Sequence, residues 1–348
     1  MFKKLSSKMI NRLLPALGLV LIAAAAVIFT LTGTSPHTVT TFAMGSYVQQ
    51  TLYGARGEAA AAAGAAAVQE TEALLSWRVE GSDIFHLNEH AGEELISVDP
   101  FTAQVLRTAL SVCEESDGAF DITIGPVSRL WDFDGEPHVP SDDQIQKFLS
   151  MVDHTALAVL DDDTAALRRY NTALDLGAVG KGAACDAAMA AYKETGLTRG
   201  IIAVGGSVGL YGTKPLHRPW VVAIRDPFTG GTLGELHLKE GFISTSGSYE
   251  KTFEESGQTY HHLLDPATGY PAQRDDLVSV TVVSGGGALS DALSTACFVL
   301  GTEASLPVLQ QFDAEAVFVT GDARVLVTAG LAESFELTDR AYAPEVLP

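Results

Sequence analysis

The chain has 348 residues, a formal charge of −21 and three cysteines. Gripping a phosphate backbone takes clustered Lys and Arg, so this acidic balance argues against nucleic acid as a partner. Cys113, Cys185 and Cys297 are odd in number, far apart and set in apolar, helix-like stretches, which reads as three buried small side chains rather than a disulfide or a zinc site.

The N-terminus is a separate element, residues 1–33. Lys3, Lys4, Lys8 and Arg12 precede an uncharged apolar run from Leu13 to Leu31. At ~1.5 Å per residue a helix of that length spans roughly 28 Å, close to a bilayer core. Basic residues on the leading side favour an N-terminus held in the cytoplasm and an exported remainder, held at the cell membrane. Ala23 to Ala26 offer a cleavage site, but the apolar run continues past them, so an uncleaved anchor is favoured over a cleaved signal. These 33 residues hold four basic and no acidic groups, which leaves the exported part near −25. Residues 34–38 make a short linker, and residues 39–348 are long enough for a large core.

A strand is expected over Val39–Tyr53. The alanine-rich run Gly57–Leu75 has few breakers and predicts a packed helix. Pro100–Glu115 predicts another helix, with Pro100 near its start. Asp117–Phe133 reads as turn and short strand. Ser141 is placed to cap a helix over Asp142–Met151. Two short strands flank Asp161–Asp163 as a hairpin.

Leu174–Asp186, LDLGAVGKGAACD, ends an apolar run with Asp175, turns through Gly177, Gly180 and Gly182, and opens a helix to about Thr195. Gly200–Gly212 is an apolar strand broken by glycines; no helix opens after them, so it is not a dinucleotide fingerprint. Strands follow at Trp220–Asp226, Ile243–Phe253, Thr259–Leu264 and Leu277–Ser284. A helix over Ala288–Leu300 and a final helix–strand–strand complete the chain. Interleaved helices and hairpins indicate an α+β fold rather than a doubly wound sheet.

Several of these segments carry chemistry. Bare glycines, Lys181 and the start of a helix suit a phosphorylated ligand, though the same pattern serves a plain strand-to-helix turn. Asp291 and Thr295 stand four apart on one helix face and are hard oxygen ligands of the kind Mg²⁺ or Ca²⁺ takes. Ser244–Tyr249, STSGSY, presents hydroxyl and N–H groups to a phosphate or forms an ordinary turn. One of the histidines in HHLLDPATG, His261 or His262, is a candidate proton acceptor; a structural role is the alternative.

Taken together and in order, ITIGP after GAFD, LDLGAVGKG, ISTSGSY, HHLLDPATG and SDALSTA resemble the ApbE family of FAD:protein FMN transferases. The resemblance spans about residues 40–335. It implies an ApbE-type, T-fold-like arrangement of mixed sheet and helix. It also implies FAD as substrate, Mg²⁺ as cofactor, and transfer of FMN to a Thr or Ser hydroxyl of an acceptor flavoprotein with release of AMP. Family acceptors carry a short Asp-Gly-x-(Ser/Thr)-Ser/Thr-like motif and belong to membrane redox complexes or are secreted.

By position, the resemblance makes Asp291 and Thr295 the side-chain metal ligands and Ala178 a carbonyl ligand. Met44, Trp77, Ala119, Phe120, Asp121, Asp175, Lys181 and Leu264 fall at FAD-contacting positions, and His262 where the family has a histidine of catalytic role. AMGS replaces the commoner MGT around Met44, and Lys181 is one of several side chains the family accepts. Hydrolysis of FAD to FMN and AMP, or simple carriage of FAD, are the competing readings of the same site.

Overall fold

The protein is described by a computed structural model covering residues 35–161, 163–273, 276–338 and 341–347. The expected anchor at residues 1–33 lies outside the described residues. Among those described, no helix is long and apolar enough to cross a membrane.

Nine strands form one sheet whose spatial order is the chain order. They are β1 (Pro36–Ala43), β2 (Ser46–Tyr53), β3 (Gly200–Val204), β4 (Ser207–Tyr211), β5 (Gly241–Gly247), β6 (Ser279–Ser284), β7 (Glu315–Val319), β8 (Val325–Thr328) and β9 (Pro344–Leu347). Neighbours are antiparallel except β8 and β9, which are parallel.

Alternation sends successive side chains to opposite faces of this sheet. Ile202, Phe242 and Phe318 join a core under helices, while Ile201, Ile243 and Val317 join a second core on the reverse face. The helical layer comprises α1 (Gly57–Leu75), α2 (Pro100–Glu115), α3 (Gly180–Glu194) and α4 (Gly287–Leu300). The reverse face is covered by a small sheet in which Thr232–Leu238 lies between Phe335–Leu337 and Trp220–Arg225. This is the α+β arrangement expected.

The alanine-rich run does form α1, and its composition has a packing reason. A side chain at Gly64 would come within 2.5 Å of Tyr192 on α3, so small residues let the two helices approach. Pro100 occupies the first turn of α2, and Asp99 caps it by accepting the Phe101 N–H at 2.8 Å. Ser141 caps the next helix and exchanges hydrogen bonds with Gln144. That helix ends at Leu149, two residues short of the expected Met151. The three cysteines are buried and free, as read from the sequence.

Four expectations need correction. The single strand over 39–53 is two, β1 and β2, joined by Met44 and Gly45, both at positive φ (53° and 65°). That pair matches the type I′ turn, whose usual Asn-Gly signature is missing here. Gly200–Gly212 likewise splits at Gly205–Gly206 into β3 and β4. The span Ile243–Phe253 belongs to two sheets: β5 ends at Gly247, and Thr252–Glu255 pairs with Gln258–His261 in a separate hairpin. Within Asp117–Phe133, Gly125–Trp131 is helical, with Pro126 in its first turn. The hairpin at Leu157–Asp161 and Thr164–Leu167 is present, residue 162 lying outside the described residues.

Candidate active site

Where α3 and α4 begin, the chain builds a cavity of about 360 Å³. Two glycines make it possible. A Cβ on Gly182 would lie 2.0 Å from the Gly287 carbonyl oxygen, and one on Gly287 would lie 2.2 Å from that of Gly182. Gly182 in the Leu174–Asp186 segment therefore serves helix–helix contact. It brings the Asp175–Lys181 turn against α4.

Asp291 is only 6% exposed. Its Oδ2 accepts the Gly182 N–H at 2.9 Å and its Oδ1 accepts the Ser207 hydroxyl at 3.2 Å. A chain of buried hydroxyls continues from there. Ser244 donates to Ser207 at 3.1 Å and lies 3.0 Å from Ser290; Ser246 lies 2.8 Å from Ser294 and 3.2 Å from Thr295. The ISTSGSY segment thus faces inward in two ways. Ser244 and Ser246 of β5 bind α4, and Thr245, on the opposite face, bonds Thr281 at 2.8 Å.

Across the cavity, Asp175 Oδ1 accepts the Gly177 N–H at 2.9 Å and Oδ2 accepts the Ser128 hydroxyl at 2.6 Å. Lys181 reaches only the Gly177 carbonyl, at 3.4 Å, so its ammonium is nearly uncommitted. Asp121 is different. Its oxygens are taken by Thr123 (2.7 and 2.6 Å) and His154 (3.0 and 3.1 Å), so it holds a loop and presents no free carboxylate.

The tertiary structure separates the two histidines. His261 bonds the Ala272 carbonyl and packs edge-on against Phe298. His262 lines the cavity. Its Nδ1 lies 3.1 Å from the Glu250 carbonyl, an acceptor, so Nδ1 carries the proton and Nε2 keeps a free lone pair. Burial, then the Lys251 and Lys181 ammoniums, push its pKa down to about 4. At neutral pH it is an uncharged base.

Of the twelve residues singled out in the sequence, eleven line this one cavity: Met44, Ala119, Phe120, Asp121, Asp175, Ala178, Lys181, His262, Leu264, Asp291 and Thr295. Trp77 does not. Its ring is stacked 4.2 Å from the Arg78 guanidinium and 4.3 Å from that of Arg129, and Arg78 takes the place on the wall. Lining residues that sequence reasoning missed include Ser128, Asp134, Gly205, Gly206 and Lys251. None lies in a motif with a chemical signature; the Gly125–Trp131 helix and the turn after it bring in Ser128 and Asp134, and two hairpins bring in Gly205, Gly206 and Lys251.

The ApbE family model matches residues 44–318, most of the chain. The chain belongs to the ApbE family. A relative from Treponema pallidum, named FAD:protein FMN transferase, is 32% identical over 297 residues, covering 80% of this chain and 82% of its own. One of the same name from Klebsiella pneumoniae is 30% identical over 305 residues, covering 86% and 94%. The solved ApbE protein of Thermotoga maritima superposes with a TM-score of 0.80 at 29% identity, over 86% of this chain and 99% of that one. The cavity just described lies within the span matched to the ApbE family.

Proposed function

We propose that the protein is an FAD:protein FMN transferase. The observation that carries this is the meeting of Asp291, Thr295, Ala178 and His262 around one cavity, from segments up to 117 residues apart. The relatives' shared name supports the same reading.

The donor set suits Mg²⁺: a buried carboxylate already fixed by two hydrogen bonds, a hydroxyl one turn along, and a loop carbonyl, all hard oxygen. Asp291, Thr295 and the Ala178 carbonyl would hold the ion. When bound, it supplies positive charge to the diphosphate oxygens and lowers the cost of the transition state. Few protein ligands are offered, which leaves positions for those oxygens.

His262 takes the proton of the acceptor Thr or Ser hydroxyl at Nε2. A hydroxyl is nearly un-ionised at neutral pH and needs such a base. Its oxygen forms a bond to the phosphorus nearest riboflavin as the bond to the bridging oxygen breaks, and AMP leaves with that oxygen. Lys181 and Lys251 line the same cavity and offset the negative charge of an acidic chain. Residues 1–33 anchor the domain on the exported face of the membrane, a reading supported by the basic flank and the 19-residue apolar run.

The test is incubation with FAD, Mg²⁺ and an acceptor, followed by mass spectrometry. FMN on a Thr or Ser with stoichiometric AMP is expected. AMP released at the same rate without acceptor, and no adduct with it, would identify a hydrolase instead. Flotation of the full chain with membranes, lost on deleting residues 1–33, tests the anchor.

A further inference from the structure

A second, narrower cavity of about 160 Å³ opens beside the first. The two share Gly205, Gly206, Thr245 and Glu250. Its floor is apolar, made by Val208 and Ile243 of the large sheet, and its outer wall is the strand Trp220–Arg225. That strand is an edge of the small sheet: Thr232–Leu238 pairs with it on one side, and among the described residues no strand pairs with it on the other. A register shift between Ile224 and Arg225 bends the strand where it meets the cavity. Arg225 there lies 5.1 Å over the Tyr249 ring, at the head of the loop leading to Glu250.

We propose that this slot is where the acceptor protein docks, as an extended segment laid along the edge strand Trp220–Arg225. The inference rests on the transferase reading above. Four properties select this occupant. An unpaired strand edge offers backbone N–H and C=O groups that satisfy an extended peptide without regard to its side chains. The apolar slot takes one or two of that peptide's side chains and so fixes its register. The slot adjoins the main cavity at the Gly205–Gly206 turn and Thr245, which line both. It arrives beside Glu250, whose carbonyl receives the Nδ1 proton of His262. A hydroxyl delivered along this path meets the base, while the mouth of the larger cavity stays free for the dinucleotide.

The experiment uses the full chain, FAD, Mg²⁺ and the membrane and secreted proteins of source cells lacking this gene. After denaturing electrophoresis only covalently attached flavin fluoresces. The principal variant is Ala223→Arg, at an exposed position on the slot wall; Val222→Trp fills the slot from inside. Val346→Trp, on the exposed β9 edge, is the control. Expected are fluorescent bands with wild type and with Val346→Trp, and a loss of about tenfold with both slot variants, the size of one good contact removed. FAD affinity, read by flavin fluorescence quenching, should stay within about twofold in the slot variants, which also reports that they fold. Wild-type labelling by Ala223→Arg and Val222→Trp overturns the docking site. So does a parallel loss of FAD affinity, which would give the slot to the flavin. Absence of any band with wild type would remove the transferase reading itself and the docking site with it.

Discussion

Asp291 and Asp186 cap one another's helices. Asp291, one turn into α4, accepts the Gly182 N–H in the first turn of α3 at 2.9 Å; Asp186 of α3 accepts the N–H groups of Gly287 and Ala288, at the start of α4, at 2.7 and 2.8 Å. Neither helix has a side-chain cap of its own. Both segments read Gly-x-x-x-Asp, at 182–186 and 287–291. The glycines permit the contact and the carboxylates satisfy the exposed N–H groups. Burial raises the Asp186 pKa against the pull of those two N–H donors. Asp186 serves structure, while Asp291 also faces the cavity.

Gly182→Ala and Gly287→Ala should each be strongly destabilising, because the added Cβ meets backbone rather than a movable side chain. A cost of about 1–3 kcal/mol or more is expected for each in urea unfolding. Both remove the same close contact, so the double variant should lose less than the sum.

Asp291→Ala removes the carboxylate proposed to hold Mg²⁺ and leaves the Gly182 N–H unsatisfied. Stability should fall by about 1–3 kcal/mol, and FMN transfer should become undetectable. Asp291→Asn keeps the shape and an acceptor oxygen, so its melting temperature should stay closer to wild type while transfer is still lost. Activity in Asp291→Asn equal to wild type, with Mg²⁺ chelated, would exclude the ligand role.

Met44 holds φ at 53° in the β1–β2 turn, a conformation costly for a residue with a Cβ. It keeps its place at the cavity against that cost, the pattern expected of a functional position. Met44→Asn should be no less stable than wild type in thermal melts, since Asn tolerates this region. It should bind FAD more weakly by titration.

As the proposed base, His262 should set an acid limit. With its pKa held at about 4, the base form persists well below the ordinary value near 6.5. The limb of kcat/KM due to this group should lie near pH 4. Lys251→Met removes one of the ammoniums facing it, Lys181 remaining, and should move that limb upward; His262→Ala should abolish it. The same depression ties stability to pH. Between about 4 and 6.5 the unfolded chain binds this proton and the native state does not, so the contribution is complete above about 6.5 and declines as pH falls toward 4.

Much of this was legible in the chain itself. Alanine-rich, proline-started and serine-capped helices followed from local propensity, because their signals lie within a turn or two of one another. The five family motifs, each short and contiguous, marked ten residues that line the cavity, and the AMGS segment marked an eleventh, Met44. The Met44–Gly45 turn was not legible, since its left-handed backbone is imposed by strand pairing and not advertised by Asn or Asp. Nor could local sequence choose between His261 and His262. His261 ends its strand and His262 begins the bend after it, so which of them meets the cavity depends on how that bend packs.

Residue types, spacing and periodicity determined the four long helices α1 to α4, the α+β class and the chemistry available at Asp291, Thr295, Lys181 and the histidines. Only the tertiary structure decided that Gly182 meets Gly287, that Asp121 is spent on its own loop, that Trp77 lies between two arginines, and that an edge strand lines a slot adjoining the main cavity. Those facts depend on contacts between segments up to 105 residues apart, which no local pattern encodes because their energy exists only once the fold has brought the segments together.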